Sequence, residues 1–478
     1  MTFKVRKIKN NQKKGGILGK LTAIFGKKGS VLLSVIPIVG ICFWGFFAFI
    51  SSPKVKDSTR GIFSPLKKDT NGHTNIVLLG VAGADREGGN LSDSILIASI
   101  NPKVPSVSFL SFPRDLFVKS SIGSYKINEI FARARSKAIA PYVKEGVKSM
   151  NELDEKTLEK ADQHGIAVIK EALTQFTGID VHYGAVVNFS AFEEIVNSLG
   201  GIDIFVREDI EDPFYPDVNY GYQTFTIRRG LQHLDGGTAL KYARSRKTSS
   251  DYNRAQRQQD LLLALREKAA SKELLTDFSK LKEFYSVFQK NIKMDVGITE
   301  IIALAKIGVG IDYSNALSAV LNDDPTQKGG FLYVPAKEFY GGQFVLLPKD
   351  IKETQNFIEL LLINPEVLIE KAQIAILNGS EVEGEARRMN TRLRRMGFHV
   401  IQIGNYEGDE AVPQTFIQNI SGQDFTKTTD ILTKILSISE KGFDRELETI
   451  NSEDVVDLRI VIGEDVGNET LPEEDEQS

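Results

Sequence analysis

Three observations in the sequence predict an α/β fold in two globular units. Short apolar or alternating runs bounded by Gly, Asn and Pro recur at Asn75–Val81, Ser94–Ile100 and Ser106–Phe112, and that period with that punctuation reads as strands. Segments with helical spacing follow them. Near 347–372 the pattern resets, and Gln373–Leu377, Glu381–Met396 and Phe398–Ile403 then read strand, helix, strand. The length of 478 residues exceeds one compact domain, and a hydrophobic share of 41% supplies ample core.

Taken in order, residues 1–30 carry nine Lys/Arg and no acid. Val31 to Ile50 follow with 20 uncharged residues, and a helix of that length at about 1.5 Å per residue spans a hydrocarbon core of about 30 Å. The basic run ahead of it predicts a single-pass cell-membrane anchor with a cytoplasmic N-terminus. A cleavable signal peptide fits less well, because its apolar region is shorter and ends in a small-residue cleavage site. Residues 51–72 read as a Pro-, Ser- and Lys-containing tether. The first globular unit then runs over 73–350.

Within that unit, Ile130 to about Lys170 is charged and helix-prone. Phe189–Leu199 has helical spacing ahead of a Gly200-Gly201 stop, and Ile202–Val206 reads as a strand. Leu231 to about Ala270 reads as mainly helical, and Ser271–Leu346 as mixed. The second unit, 370–463, is a small α/β domain with a weaker second copy of its pattern in Thr415–Gln418, Asp424–Leu436 and Val455–Ile462. Residues 464–478 are acidic and poor in apolar residues, a composition of disorder.

Composition excludes several functions. One cysteine, Cys42, permits neither an intrachain disulfide nor a Cys-based zinc site, and the five histidines form no short pair. Beyond residue 30 there are 50 basic residues against 63 acidic ones. Such a body does not suit nucleic acid, which calls for a broad basic surface, and a basic cluster inside it stands out.

The densest cluster is Tyr242–Leu261, YARSRKTSSDYNRAQRQQDL. Ser250 or Asp251 can cap a helix there. Asp251, Arg254, Arg257, Gln258 and Leu261 then fall at helical spacing, with Arg244 and Arg246 just ahead of the cap. Guanidiniums beside a helix N-terminus suit a phosphate or pyrophosphate; a solvated basic helix is the plainer alternative. Phe112-Pro113-Arg114-Asp115 closes an apolar strand, where open α/β sheets place ligands, although a surface ion pair in a turn has the same pattern. Lys126-Ile127-Asn128 flanks a helix entrance, as capping residues also do. The glycine-rich stretch Gly80–Gly89 and the following Leu91-Ser92-Asp93-Ser94 offer Asp85 and Asp93 to a hard cation such as Mg²⁺, or simply to solvent.

In this order these pieces resemble the LytR-CpsA-Psr family of cell-wall glycopolymer ligases, together with Leu199-Gly200-Gly201-Ile202-Asp203, Leu234-Asp235-Gly236 and Tyr242-Ala243-Arg244-Ser245-Arg246. Ile376-Leu377-Asn378-Gly379-Ser380, Gly384-Glu385-Ala386 and Gly397-Phe398-His399-Val400 look like the small C-terminal domain of some members. The resemblance implies a central mixed sheet flanked by helices on both sides and a tunnel for a lipid tail. It implies Mg²⁺-dependent transfer of a glycan phosphate from a polyprenyl-pyrophosphate carrier to peptidoglycan. Carried across, Arg114, Arg244, Arg246 and Arg254 grip the pyrophosphate, with Lys126, Asn128, Arg257 and Gln258 assisting. Asp93 and Asp85 serve the metal, and Asp115 or Asp251 orients an arginine or deprotonates the acceptor.

Two departures are visible. Asp85 and Arg86 are adjacent where the family often has Asp-x-Arg, and Leu91 stands where an arginine precedes Ser-Asp. Phe189, Phe192, Ile195, Val196 and Leu199 are candidates to line the lipid slot, with ordinary core packing as the alternative. A pyrophosphatase and a non-enzymatic, membrane-tethered binder of lipid-linked glycans or polyanions are the competing functions.

Overall fold

The computed structural model describes residues 66–83, 90–101, 103–144, 152–216, 221–245, 292–297, 315–408, 410–438 and 456–465, with scattered positions between 261 and 311. The Val31–Ile50 anchor, Asp85, Arg246, Asp251, Arg254, Arg257 and Gln258 lie outside the described residues. Among those described, no helix is long and apolar enough to cross a membrane.

A six-stranded mixed sheet forms the centre. Its strands are β1 (Thr74–Val81), β2 (Ser92–Asn101), β3 (Val104–Phe112), β6 (Tyr183–Asn188), β11 (Ile292–Met294) and β12 (Leu317–Val320), in the order β11-β6-β1-β2-β3-β12. β6, β1, β3 and β12 run parallel, while β2 and β11 oppose them. Alternation decides which face each side chain meets. Val77, Leu79, Ile95, Ile97, Leu110 and Phe112 point to one face, and Ile76, Leu78, Leu96, Ala98 and Val107 to the other. Because both faces are covered, the runs read as almost wholly apolar.

The first face is covered by helices Ile127–Lys144, Glu155–Thr177 and Ile351–Leu362, the second by Phe189–Ser198 and Gly236–Arg244. The charged 130–170 segment is thus two helices. The second of them starts at Asp154, whose side chain accepts from Thr157 N–H at 2.7 Å. Phe192, Ile195, Val196 and Leu199 are at most 5% exposed. They fill the core on the second face, so the plainer reading holds for them; the Phe189 side chain lies outside the described residues.

Three elements differ from the sequence reading. Leu231–Leu234, read as helical, is the end of strand β10 (Gly230–Leu234), and it pairs antiparallel with β7 (Ile202–Val206). The helix begins only at Gly236, where the Asp235 side chain accepts from Thr238 N–H at 2.7 Å. Beyond β7, an unread hairpin of β8 (Ile210–Pro216) and β9 (Tyr222–Ile227) extends the ribbon. A short hairpin, β4 (Phe117–Ser120) and β5 (Gly123–Lys126), separates Asp115 from Lys126 and folds one back beside the other.

The small C-terminal unit is a four-stranded sheet in the order β16-β15-β18-β17, with helices Glu385–Met396 and Thr426–Leu436. β15 (Gln373–Asn378) runs parallel to β16 (His399–Asn405) and to β18 (Leu458–Ile462), whereas β17 (Phe416–Asn419) is antiparallel to β18. The second half therefore repeats the strand–helix–strand order of the first, in Phe416–Asn419, Thr426–Leu436 and Leu458–Ile462, but its two strands pair antiparallel and the last strand is central. Two residues that the sequence places in the tail are tied down: Glu464 accepts from Glu381 N–H at 2.6 Å, and Asp465 from Thr415 N–H at 2.8 Å.

Candidate functional site at the carboxyl edge of the sheet

The parallel strands β1, β3, β6 and β12 all end at one edge of the sheet, and β2 begins there. Pro113-Arg114-Asp115 follows β3 directly, and Asp93 is the second residue of β2. The turn is fixed by backbone bonds: Leu116 N–H donates to Pro113 O at 3.0 Å, and Ile127 N–H to Leu116 O at 2.7 Å.

Asp115 is the hub. Its Oδ1 accepts from Lys126 Nζ at 2.8 Å, and its Oδ2 lies 3.5 Å from Arg114 Nε. Arg114 also reaches toward Asp93, Nη1 to Oδ1, at 3.8 Å. The Arg114 side chain is 61% exposed and that of Asp93 48%, so neither ion pair is tight and both groups are open to solvent. Lys126 and Asp115 are about four-fifths covered, which makes theirs the firmer pair.

Two buried polar atoms at the same edge lack a partner among the described residues, Ser92 Oγ and Asn128 Oδ1. Ser92 is fully buried and Asn128 8% exposed. They are two of eight such atoms among the described residues, Ser106, Ser108 and Ser111 of β3 included, and these two flank the charged cluster. Sequence reading reached Asn128 through the Lys-Ile-Asn pattern and named Ser92 only as part of Leu91-Ser92-Asp93-Ser94, without a role.

Arg244 stands on the other face of the sheet, at the C-terminus of its helix. Its Nη1 donates to Tyr215 Oη at 3.3 Å, and the guanidinium carbon lies 5.7 Å from the centre of that ring. Next to it, buried Ser245 donates its hydroxyl to buried Asp212 at 2.9 Å. Asp212 and Tyr215 straddle a register shift in β8 that leaves both facing inward. The β8–β9 hairpin thus holds the YARS turn, a role with no local sequence signal. Arg246 and the Asp251–Gln258 stretch continue from this turn outside the described residues.

The edge sets two cations, Arg114 and Lys126, beside two carboxylates, Asp115 and Asp93, an arrangement in which the carboxylates can orient the cations. Among the described residues no group of three or more His, Cys, Asp or Glu side chains could hold a metal by itself. A half-exposed carboxylate such as Asp93 does fit Mg²⁺, which keeps several waters and takes one or two carboxylates together with substrate phosphates.

Residues 51–334 match the LytR_cpsA_psr family, and residues 371–465 match a domain described as LytR cell envelope-related transcriptional attenuator. The chain is 26% identical over 284 residues to the polyisoprenyl-teichoic acid–peptidoglycan teichoic acid transferase TagU of Bacillus anthracis, covering 56% of this chain and 80% of the relative. It is 27% identical over 271 residues to the corresponding TagT of Bacillus subtilis, covering 56% and 70%. The crystal structure of B. subtilis TagV covers 62% of this chain and 98% of that one, at 22% identity and a TM-score of 0.40. The first family match spans more than half of the chain and contains Asp93, the Arg114 turn, Lys126 and Arg244; this protein belongs to the LytR-CpsA-Psr family.

Proposed function

We propose that the protein transfers a phosphorylated glycan from a polyprenyl-pyrophosphate carrier to a hydroxyl of peptidoglycan, working from a single N-terminal membrane anchor on the outer side of the cell membrane. The observation that carries the proposal is the convergence of Arg114, Lys126, Asp115 and Asp93 on the carboxyl edge of the sheet. The printed names of the relatives, transferases of polyisoprenyl-linked teichoic acid to peptidoglycan, support the same chemistry.

In the reaction the acceptor oxygen bonds to phosphorus, its proton passes to Asp115 or Asp251, and the bond to polyprenyl phosphate breaks with the electron pair leaving on that phosphate. Negative charge moves toward the leaving group, and cations fixed beforehand stabilise it without reorganising. Arg114 supplies an exposed fork for the diphosphate oxygens. Lys126 supplies a second charge, held in place by Asp115. Arg244, braced by Tyr215, supplies a third from the other face, with Arg246, Arg254, Arg257 and Gln258 continuing the same basic stretch. Asp93 would hold Mg²⁺, with Asp85 as a second contact, and the ion when bound neutralises charge on the phosphate oxygens.

The test incubates the full-length protein in detergent with a lipid-pyrophosphate glycan, Mg²⁺ and peptidoglycan fragments. Glycan joined to the fragments is expected, and Arg114→Ala and Arg244→Ala are expected to abolish it. Free phosphorylated glycan in the presence of acceptor would make the protein a pyrophosphatase. Binding without turnover would make it a tethered binder.

A further inference from the structure

Neither family match covers residues 335–370, yet that stretch joins the C-terminal unit to the candidate site. Helix Ile351–Leu362 packs one side against β3 and presents Glu353 to the small domain. Glu353 is gripped at both oxygens: Oε1 accepts from Arg392 Nε at 3.0 Å and Oε2 from Arg395 Nη2 at 2.9 Å. All three side chains are less than a fifth exposed, and a forked pair of this kind fixes geometry as well as charge. Arg395 also lies 4.7 Å over the ring of Phe331, which stacks on Phe357 at 4.9 Å. A backbone bond crosses the boundary as well, from Gly329 N–H to Arg395 O at 2.9 Å.

The chain does not stop at Phe331. Leu332 pairs with Pro348 in a short hairpin, and Lys349 N–H donates to Phe331 O at 2.9 Å. The returning strand then touches the site turn. Leu346 N–H donates to Asp115 O at 2.9 Å, and Phe117 N–H donates to Leu346 O at 2.9 Å. Leu346 and Leu116 are buried and form a bridge. An unbroken run of backbone bonds and buried contacts therefore leads from Arg395 to the backbone of Asp115, whose side chain holds Lys126 and Arg114.

We infer that the small C-terminal domain is a positioning device for the anion site, with Glu353 and Arg395 as the latch that sets the Pro113–Asp115 turn. The role in turnover rests on the transferase reading; the mechanical coupling does not.

The experiment uses the full-length protein and the variants Glu353→Ala, Phe331→Leu and Lys434→Ala, followed by hydrogen exchange and transfer kinetics. Phe331→Leu keeps the core apolar while removing the ring under Arg395, and it serves if Glu353→Ala fails to fold. Lys434, exposed and paired with Glu359, is the control at the same boundary. Glu353→Ala and Phe331→Leu should speed exchange at the Phe117 and Leu346 amides by about tenfold or more, because local opening sets that rate. Both should lower kcat by about tenfold with donor KM within about twofold, the pattern of misplaced rather than missing groups. Glu353→Gln, which keeps one acceptor oxygen, should recover part of both. The control should change neither. Faster exchange in helix Glu385–Met396 with unchanged Phe117 protection and unchanged kcat would overturn the inference. A wild-type protein that transfers nothing would overturn the transferase reading while leaving the exchange result to decide the coupling.

Discussion

Gly236 and Gly237 are neighbours at the start of the helix that carries Arg244, and replacing each by alanine should have opposite effects. A Cβ at Gly236 would stand 2.6 Å from Glu193 Cα and 2.7 Å from its carbonyl carbon. Ordinary contact begins at 3.4 Å, and the Glu193 backbone oxygen is closer still than these two carbons, so helices Phe189–Ser198 and Gly236–Arg244 must part by more than about 0.8 Å, and overpacking of this kind costs about 1–3 kcal/mol. The obstacle is backbone, which cannot rotate aside. The hydrogen bond from Gly236 N–H to Asn197 Oδ1, 2.8 Å long, strains with it.

At Gly237 the added carbon meets only Asp235 Oδ1 at 3.8 Å, and Gly→Ala at a compatible helical position stabilises by about 0.4–1 kcal/mol through the unfolded chain. Urea unfolding of both variants measures the difference, expected at about 1.4–4 kcal/mol when these two effects are set against each other. Transfer activity should separate them as well. A displacement approaching 1 Å at the base of the Arg244 helix should cut kcat by about tenfold or more, while Gly237→Ala keeps it. Equal stability of the two variants would refute the packing argument.

Two further outcomes follow from the same geometry. His73 and His182 are both held below their ordinary 6.5, chiefly by burial. His73 Nε2 faces Asn101 Nδ2 at 3.0 Å and its Nδ1 faces Ser99 Oγ, which donates to Leu362 O, while His182 Nδ1 accepts from Asn75 N–H at 3.0 Å. The native state favours the neutral rings, so their contribution is complete above about pH 6.5 and is lost as pH falls from there through each folded-state pKa. Urea midpoints from pH 7.5 to 5 should fall less steeply in a His73→Gln/His182→Gln double variant, and an unchanged slope would discount both rings. At the site edge, chelation should stop transfer, and Asp93→Ala should raise the Mg²⁺ needed for half-maximal rate by at least about tenfold, the loss that even indirect partners of a metal can cause; a variant with wild-type Mg²⁺ dependence would remove Asp93 from that role.

Strands β1, β2 and β3 were legible because burial on both faces writes itself as continuous apolar residues, whereas the caps Asp154 and Asp235 went unread and the start of the second helix was misplaced. The ribbon Ile202–Leu234 was half missed because short alternating strands with polar outer faces resemble helix entrances when only a few residues are in view. The candidate site divides the same way. Arg114 and Asp115 were visible as charge at the end of an apolar strand. Ser92 was visible only as a member of the Ser-Asp motif, with nothing to show its burial, and the bracing of Arg244 by Tyr215, 29 positions away in sequence, gave no signal.

The sequence by itself determined the two-unit α/β plan, the family and the residue types at the site, because periodicity, caps and ordered motifs are local properties. Only the tertiary structure decided that Lys126 closes on Asp115, that a late strand lies at the centre of the small sheet, and that Glu353 ties helix Ile351–Leu362 to Arg392 and Arg395 of the small domain. Those are contacts between distant segments, selected by which buried charges and backbone groups find partners once the chain is compact, and no local pattern encodes them.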